Sequence, residues 1–423
     1  MSEHNQVLQE LGLDVALHDE MLASVDRTFG QTVGAQTGRP EGMAYFDSAL
    51  HAAHGGRVAE LVDLKKNGTK TVGTFCIYVP EELAMAANTV PVALCGGTQF
   101  SIPYAEKRFP RDICPLVKST LGLAFSKTCP YGPLKSMAVG ETTCDAKKKT
   151  WEILAGKVNF HVMELPQKKD QLDIDLWRNA VYEFKDKLES LSGTKVEVEN
   201  LGTAIKVMNA KRRALQRLAE LRKADPPPIS GLDALVVMQA ALNDEPVRFT
   251  AALDRLHAEL EERMARGFSP LPEGAQRVMF AGCPAVMGNW KVHALVEQSG
   301  AVIVADESCT GSRYFENLID ETARDLAGQV DAIADRYMKI NCACFTPNQE
   351  RIDSIVEKAR EYGVKGVVQY VLQTCHGYNV EAMRVEAALK KAEIPSIKIV
   401  TDYSEEDAGQ LRTRIEAFVE QLS

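Results

Sequence analysis

The chain has 423 residues, of which 45% are hydrophobic, so it can form two or three domains with sizeable cores. Its net charge of −9 argues against a nucleic-acid or anionic-membrane partner, because either would favour a basic face. The N-terminal stretch MSEHNQVLQELGLD lacks the pattern of a signal peptide, and no segment approaches the roughly 18 apolar residues of a membrane span. We therefore expect a cytoplasmic protein.

Hydrophobic periodicity divides the chain into four segments. Residues 1–65 are predicted to be mainly helical, and residues 66–170 alternate short β-branched runs with helices, as in a parallel sheet covered by helices. Residues 171–272 are predicted to form a helical bridging region. The strand-helix alternation resumes over residues 273–423, which predicts a second α/β domain.

Eight short runs are the predicted strands. The first α/β domain contributes TVGTFC, VPVALC, MAVGETTC and KVNFHVMELP, and the second contributes RVMFAGC, AVIVADESC, GVVQYVLQTC and SIKIVTDYS. Neither domain contains the phosphate loop G-x-x-x-x-G-K-[ST] or the dinucleotide motif G-x-G-x-x-G. We therefore do not expect the chain to hydrolyse ATP itself or to bind a nicotinamide in the usual way.

Cysteines recur at the ends of these runs. Disulfides are rare in a reducing compartment, so the ten cysteines favour metal binding or redox chemistry, with burial as small apolar side chains as the alternative for each. Ligands of parallel α/β sheets bind at the carboxyl edge of the strands. The cysteines at or just beyond such an end are Cys76, Cys95, Cys144, Cys283, Cys309 and Cys375.

Two further pairs of cysteines have informative neighbours. Cys114 and Cys129 each precede a proline, and a proline at a first helical position would leave the thiol at or near a helix N-cap, where thiolate is favoured. In the stretch INCACFTP, Cys342 and Cys344 are one residue apart in what we expect to be an irregular loop. Both side chains can therefore reach one centre or two adjacent centres.

The spacing of the cysteines disfavours a mononuclear zinc site, because no C-x2-C pair is present. An iron–sulfur cluster tolerates irregular spacing and thiolates from distant loops. Packing is favoured for Cys76 and Cys283, which lie in apolar runs. For Cys95, packing and ligation are about equally favoured. Ligation is favoured for the cysteines in polar, glycine-rich loops, namely Cys114, Cys144, Cys309, Cys344 and Cys375.

Five motifs together resemble the 2-hydroxyacyl-CoA dehydratase/benzoyl-CoA reductase superfamily, most closely its double-cubane-cluster reductase branch. They are ICPLVKS, VGETTCDAKKKTWE, VADESCTGSRYF, NCACFTPNQER and LQTCHGYNVE. The resemblance runs from about Lys70 to the C-terminus and implies an α/β fold of two flavodoxin/Rossmann-like parallel-sheet domains with an N-terminal helical region and a helical insertion. Ala146 stands where the family pattern has glycine, which leaves the loop after Cys144 with less backbone freedom.

The resemblance also implies a cofactor. In the dehydratases three cysteines hold one [4Fe-4S] cluster, and these match Cys114, Cys144 and Cys375. The double-cubane branch joins two [4Fe-4S] units through a sulfide into an [8Fe-9S] cluster held by six cysteines. The family-like motifs offer Cys309, Cys342 and Cys344 as the other three, with Cys95 and Cys129 in reserve.

Two other residues are candidates for proton transfer. His376 follows Cys375 directly and is predicted to donate a proton or hydrogen bond to a substrate, or else to be a solvated loop histidine. Glu141 is predicted to act as an acid or to cap the helix that follows it. Lys147 and Arg313 are expected mainly to be structural, although Lys147 could offset the charge of a cluster.

The resemblance implies a homodimeric reductase that receives electrons from a separate ATP-hydrolysing [4Fe-4S] activase and reduces a small molecule, such as an acetylene-like compound, azide or hydrazine. The first alternative is a subunit of a 2-hydroxyacyl-CoA dehydratase with a single [4Fe-4S] cluster, which would use only three of the cysteines. The second is a non-catalytic iron–sulfur carrier, which would favour exposed ligands over an enclosed site.

Overall fold

The structure is a computed structural model that describes residues 3–94 and 96–423. The N-terminal segment is helical, as its periodicity predicts. Asp14 begins the longest of these helices by accepting a hydrogen bond from the backbone N–H of Leu17. The four helices are α1 (Glu3–Glu10), α2 (Val15–Gln31), α3 (Met43–Ala52) and α4 (Gly56–Lys66).

The first sheet has four parallel strands in the order β2-β1-β3-β4. Its central strands β1 and β3 are almost entirely buried, which explains why neither sequence alternates apolar and polar residues along its whole length. The elements are β1 (Lys70–Thr74), α5 (Glu81–Ala86), β2 (Thr89–Ala93), α6 (Ile102–Glu106), α7 (Pro115–Ser126), α8 (Tyr131–Leu134), β3 (Met137–Glu141), α9 (Asp145–Ala155) and β4 (Phe160–Met163), with a short 3₁₀ turn at Gln99–Ser101.

Four helices connect the two sheets, and their ends carry ordinary capping residues. Asp170 caps the first of them, Gly193 ends it in the left-handed conformation, and Glu197 and Asn200 form a capping box at the start of the second. These helices are α10 (Gln171–Ser192), α11 (Val198–Leu221), α12 (Gly231–Ala241) and α13 (Pro246–Ala265).

The second sheet repeats the topology of the first, with four parallel strands in the order β6-β5-β7-β8. Strand β7 is buried along its whole length. The elements are β5 (Gln276–Gly282), α14 (Lys291–Gln298), β6 (Ala301–Glu307), α15 (Ser312–Phe315), α16 (Leu326–Met338), α17 (Gln349–Glu361), β7 (Gly366–Leu372), α18 (His376–Lys391), β8 (Ser396–Thr401) and α19 (Ala408–Glu420).

One hydrophobic core joins the two halves of the molecule. It combines Val72 of the first sheet, Trp177 of α10, Ile333 of α16 and Phe345 of the loop after α16. The Trp177 indole N–H donates to the carbonyl of Ala334 across this core at 3.1 Å. The loop that carries Cys342 and Cys344 is therefore packed against the first sheet although it belongs to the second half of the chain.

The α/β class with two parallel sheets is confirmed, and each of the eight strands falls on one of the eight runs predicted from the sequence. In the part of the chain that the structure describes, none of the helices has both the length and the apolar character needed to cross a bilayer.

Candidate functional site

A cavity of about 430 Å³ lies where the carboxyl ends of the two sheets meet. It contains all six cysteines that the sequence offers as ligands, together with two that were favoured as packing residues. The eight cysteines on its wall are Cys76, Cys114, Cys144, Cys283, Cys309, Cys342, Cys344 and Cys375. Cys129 instead packs among the apolar side chains of the N-terminal helices, and Cys95 lies outside the described residues.

The topology of the sheets explains this convergence. In the first sheet, β2 pairs with one side of β1 and the chain then crosses over so that β3 pairs with the other side. The second sheet does the same with β6 and β7 on the two sides of β5. The strand order therefore reverses between β1 and β3 and between β5 and β7. Ligands of such sheets bind at the carboxyl end of this reversal. Cys76 and Cys144 follow β1 and β3, while Cys283 and Cys375 follow β5 and β7.

Cys114, Cys144 and Cys375 share a structural feature, because each is the N-cap residue of a helix. We call these three residues the helix-cap group; they precede α7, α9 and α18. The backbone N–H groups of Leu116 and Val117 face the thiol of Cys114, and that of Lys147 faces Cys144. Helix N-termini carry partial positive charge, so all three positions favour a thiolate or a metal-bound sulfur.

Close packing of α9 on β3 fixes the position of Cys144. A Cβ added to Gly140 would lie 2.6 Å from the ring of Trp151, so glycine allows this helix to approach the strand directly. The Trp151 indole then donates to the carbonyl of Glu141 at 2.8 Å.

A second set of cysteines comes from loops of the second half of the chain. Cys309 follows β6, and Cys342 and Cys344 lie in the irregular loop between α16 and α17. We call these three residues the loop group. Cys342 and Cys344 hydrogen-bond with each other, which lowers the pKa of Cys342 to about 6 while raising that of Cys344. Cys309 is within electrostatic reach of Cys342.

Burial raises the pKa of most thiols in the cavity, to about 12 for Cys114 and about 11 for Cys309. Cys375 is an exception, because a hydrogen bond with Cys283 lowers its pKa. Cys283 also accepts from the backbone N–H of Leu372 at 3.4 Å and is almost fully buried in the core of the second sheet. Cys76 lies near the loop group, since it acts electrostatically on Cys344.

The two candidate proton donors have different surroundings. The side chain of Glu141 is fully buried at the end of β3, where one of its oxygens accepts from the Thr143 hydroxyl at 2.8 Å and forms an ion pair with Lys147. Lys147 itself lines the cavity and acts electrostatically on Cys144, Cys309 and Cys375. His376 is exposed at the start of α18, on the wall of the cavity.

The cysteines on the cavity wall can be compared with the donor set of an iron–sulfur cluster. Over residues 3–94 and 96–423, no three His, Cys, Asp or Glu side chains converge closely enough to hold one metal ion. Sulfur atoms spread over the wall of one cavity are the arrangement that an iron–sulfur cluster requires, because its irons bind thiolates on different sides. The residues present therefore fit the group that the sequence resemblance implies.

Sequence reasoning missed Tyr378 and underrated Arg313. Both side chains lie behind the loop group, and Tyr378 also lines the cavity. One signal was available, because Tyr378 follows Cys375 by three residues at the start of a predicted helix and Arg313 follows Cys309 by four.

Comparison with known proteins identifies the class. The chain is 37% identical over 385 residues to the Escherichia coli K12 protein named "Putative dehydratase subunit YjiM". The aligned region covers 90% of this chain and 98% of that protein. It is 25% identical over 379 residues to the beta subunit of (R)-2-hydroxyglutaryl-CoA dehydratase of Acidaminococcus fermentans, covering 86% and 95%. It is 22% identical over 357 residues to one of the subunits of benzoyl-CoA reductase of Thauera aromatica, covering 81% and 87%.

The fold and its relatives thus define an enzyme of the superfamily that includes 2-hydroxyacyl-CoA dehydratases and benzoyl-CoA reductases. The family model described as 2-hydroxyglutaryl-CoA dehydratase, D-component, matches residues 76–422. The chain belongs to this family.

Proposed function

We propose that the chain is the iron–sulfur reductase component of a two-component system and that its cavity holds a double-cubane [8Fe-9S] cluster. The observation that carries this proposal is the convergence of the six proposed cysteines, from five separate segments of the sequence, on one cavity wall. A single [4Fe-4S] cluster of the dehydratase type would use only three of them. The proposed ligands are Cys114, Cys144, Cys309, Cys342, Cys344 and Cys375.

The local geometry supports a division of these ligands into two triads. The helix-cap group, Cys114, Cys144 and Cys375, would hold one cubane, because these thiols act electrostatically on one another. The loop group, Cys309, Cys342 and Cys344, would hold the other. Cys375 also acts electrostatically with Cys342, so the two triads adjoin.

When bound, such a cluster would supply low-potential electrons to a small molecule that enters the cavity. The residues of the chain would provide the surroundings. The lining of the cavity is mainly apolar, which limits access of water, and Lys147 offers a positive charge between the two triads. Glu141 and His376 stay candidates for proton delivery, Glu141 through its ion pair with Lys147.

An external electron donor completes the proposal. The sequence contains no phosphate loop, so ATP-driven electron transfer would come from a separate activase, as the resemblance implies. A homodimer would present two equivalent sites to such a partner. Azide and acetylene are the substrates to try first.

A dehydratase subunit with one [4Fe-4S] cluster is the second candidate, because the relatives described above include dehydratase subunits and the family model carries that name. In this case only the helix-cap group would hold iron. The loop group would then have no metal to bind, although it lines the same cavity.

Iron and acid-labile sulfide measured on anaerobically purified protein distinguish the two candidates. The reductase proposal predicts about eight irons per chain, and the dehydratase alternative predicts about four. A protein without iron would contradict both. With a full cluster, failure to reduce azide or acetylene in the presence of a cognate activase and ATP would favour a non-catalytic iron–sulfur carrier.

Serine substitutions locate the ligands. We expect Cys342→Ser and Cys344→Ser each to lower the iron content, because each removes one thiolate from the loop group. Cys129→Ser is the matched control, since Cys129 is also a partly buried free thiol but packs away from the cavity. An iron content that is unchanged by Cys342→Ser or Cys344→Ser would remove that residue from the ligand set.

A further inference from the structure

A network of buried charges lies directly behind the loop group. Glu307, the last residue of β6, has 2% of its side chain exposed and binds two arginines. Its Oε1 accepts from Arg313 Nε at 2.6 Å, and its Oε2 accepts from Arg351 Nη2 at 2.9 Å. Arg351 also forms an ion pair with Glu381, so the two arginines are balanced by two carboxylates.

This network orients the guanidinium group of Arg313 so that Nη1 lies near Cys309, which lines the cavity. Arg313 Nη2 donates to the carbonyls of Gly282 and Glu307 at 3.2 and 3.0 Å, which fixes the plane of the guanidinium. Its Nη1 then points the other way and lies 3.9 Å from Cys309 Sγ. The guanidinium of Arg313 therefore presents a hydrogen-bond donor and a positive charge to this sulfur atom.

Tyr378 extends the same arrangement to a second cysteine. Its hydroxyl oxygen accepts from Arg313 Nη1 and lies 3.6 Å from Cys342 Sγ. Since the oxygen is already an acceptor, the hydroxyl hydrogen is available for the sulfur. The guanidinium groups of Arg313 and Arg351 lie over the tyrosine ring, 5.2 and 5.0 Å from its centre, which helps to hold it in place.

The helix-cap group has a different electrostatic environment. There backbone N–H groups of the first helical turns face Cys114, Cys144 and Cys375, Lys147 acts electrostatically on Cys144 and Cys375, and Cys283 hydrogen-bonds with Cys375. A buried ion network is a weak source of stability, because desolvation offsets most of the attraction between its charges. Stability alone therefore does not account for this network, whereas an effect on the reduction potential of iron bound by the loop group would.

We propose that Arg313 and Tyr378 are positioning residues that donate hydrogen bonds to the sulfur atoms of Cys309 and Cys342 and raise the reduction potential of the iron held there. The inference rests on the proposed function, because it concerns iron bound by the loop group. Hydrogen bonds to cysteine sulfur stabilise the more negative, reduced state of an iron–sulfur centre. The loop group would thus receive hydrogen bonds from the side chains of Arg313 and Tyr378, whereas the helix-cap group receives its hydrogen bonds mainly from backbone N–H groups.

The test is a redox titration of anaerobically purified protein, followed by electron paramagnetic resonance, in the wild type and in Tyr378→Phe. Removing the hydroxyl should leave the iron content unchanged and shift one of the two midpoint potentials to a lower value. Arg313→Lys, which keeps the charge but loses the planar fork, should shift the same potential in the same direction. Tyr370→Phe is the control, because the Tyr370 hydroxyl is also buried but accepts from Asn289 at 2.8 Å.

The outcomes separate this inference from the proposal on which it rests. A wild-type protein without iron, or with only the iron of the helix-cap group, would overturn the proposed function. A full iron content with both potentials unchanged in Tyr378→Phe would overturn the role of the tyrosine alone. An equal shift in Tyr370→Phe would show a general effect of losing a buried hydroxyl, and it would also overturn the inference.

Discussion

At the scale of single residues, Glu82 and Arg212 form an ion pair in which both side chains are fully buried. Arg212 Nη2 lies 2.5 Å from Glu82 Oε1, and the Tyr337 hydroxyl donates to the other oxygen at 2.9 Å. Burial raises the pKa of Glu82, but Arg212, Arg336 and the hydrogen bonds to the carboxylate together outweigh it, so the net shift is downward. The pair links α5 of the first sheet to α11 of the bridging helices.

Removing one partner of this pair should be strongly destabilising. We expect Arg212→Met to lower the free energy of unfolding by about 3–5 kcal/mol, because the buried Glu82 carboxylate loses its ion-pair partner. Denaturant unfolding measures the loss. Arg217→Met is the matched control on the same helix, since Arg217 is half exposed and its pair with Glu261 should contribute at most about 1 kcal/mol. Equal losses in the two variants would contradict this account.

Residues differ in how far the sequence predicts their place. Cys114 was predictable, because proline at the first helical position identifies the preceding residue as the N-cap. The apolar surroundings of Cys76 and Cys283 favoured simple packing; Cys283 is buried and Cys76 is partly buried, yet both also reach the cavity wall. A residue at a strand end can pack in a hydrophobic core and line a binding site at the same time. The local sequence pattern does not distinguish such a residue from one that only packs.

Tyr378 could not be assigned from the sequence for a different reason. Its contacts with Arg313 and Cys342 join residues 65 and 36 positions apart. Such contacts depend on how β6, the loop after α16 and α18 pack in three dimensions. No local periodicity encodes that packing.

At the scale of secondary-structure elements, Glu297 connects three of them. It lies in the last turn of α14, and its carboxylate accepts from the backbone N–H groups of Gly231 and Leu232 at the start of α12, at 2.6 and 3.2 Å. It also accepts from Ile303 of β6 at 3.2 Å. Burial nevertheless raises the pKa of Glu297 from 4.5 to about 7.

This raised pKa predicts a pH dependence of stability. The folded protein retains a proton on Glu297 that the unfolded chain releases, so the stabilisation is complete below about pH 4.5 and is lost as the pH rises towards 7. The loss amounts to at most about 3 kcal/mol. We expect denaturant unfolding at pH 5 and pH 7.5 to show a smaller difference in Glu297→Gln than in the wild type. Identical differences would exclude Glu297 as a source of the pH dependence.

Most elements follow from the pattern of the sequence. Short β-branched runs alternating with helical stretches predicted the eight strands, because parallel strands covered on both faces need no strict polar alternation. The region around Cys342 was expected to be an irregular loop, and the described residues between Met338 and Gln349 form no helix or strand. The strand order in each sheet did not follow from the pattern, since it depends on pairing between strands that are distant along the chain.

At the scale of the whole molecule, the cavity exists only because the two sheets present their carboxyl edges to each other. The core around Trp177 and Phe345 brings Cys342 and Cys344, which belong to the second half of the chain, against the first sheet. The helix-cap group itself draws two cysteines from the first half and one from the second. The sequence predicts that each of these loops lies at the edge of a sheet. The packing of the two halves against each other then brings the loops together into one site.

The central claim is that six cysteines hold one iron–sulfur body at this junction. Anomalous X-ray diffraction at the iron edge, on crystals of anaerobically purified protein, tests it most directly. The account predicts two adjacent groups of about four irons in the cavity, one bonded to Cys114, Cys144 and Cys375 and the other to Cys309, Cys342 and Cys344. A cavity without iron, or iron bonded to the helix-cap group alone, would contradict it.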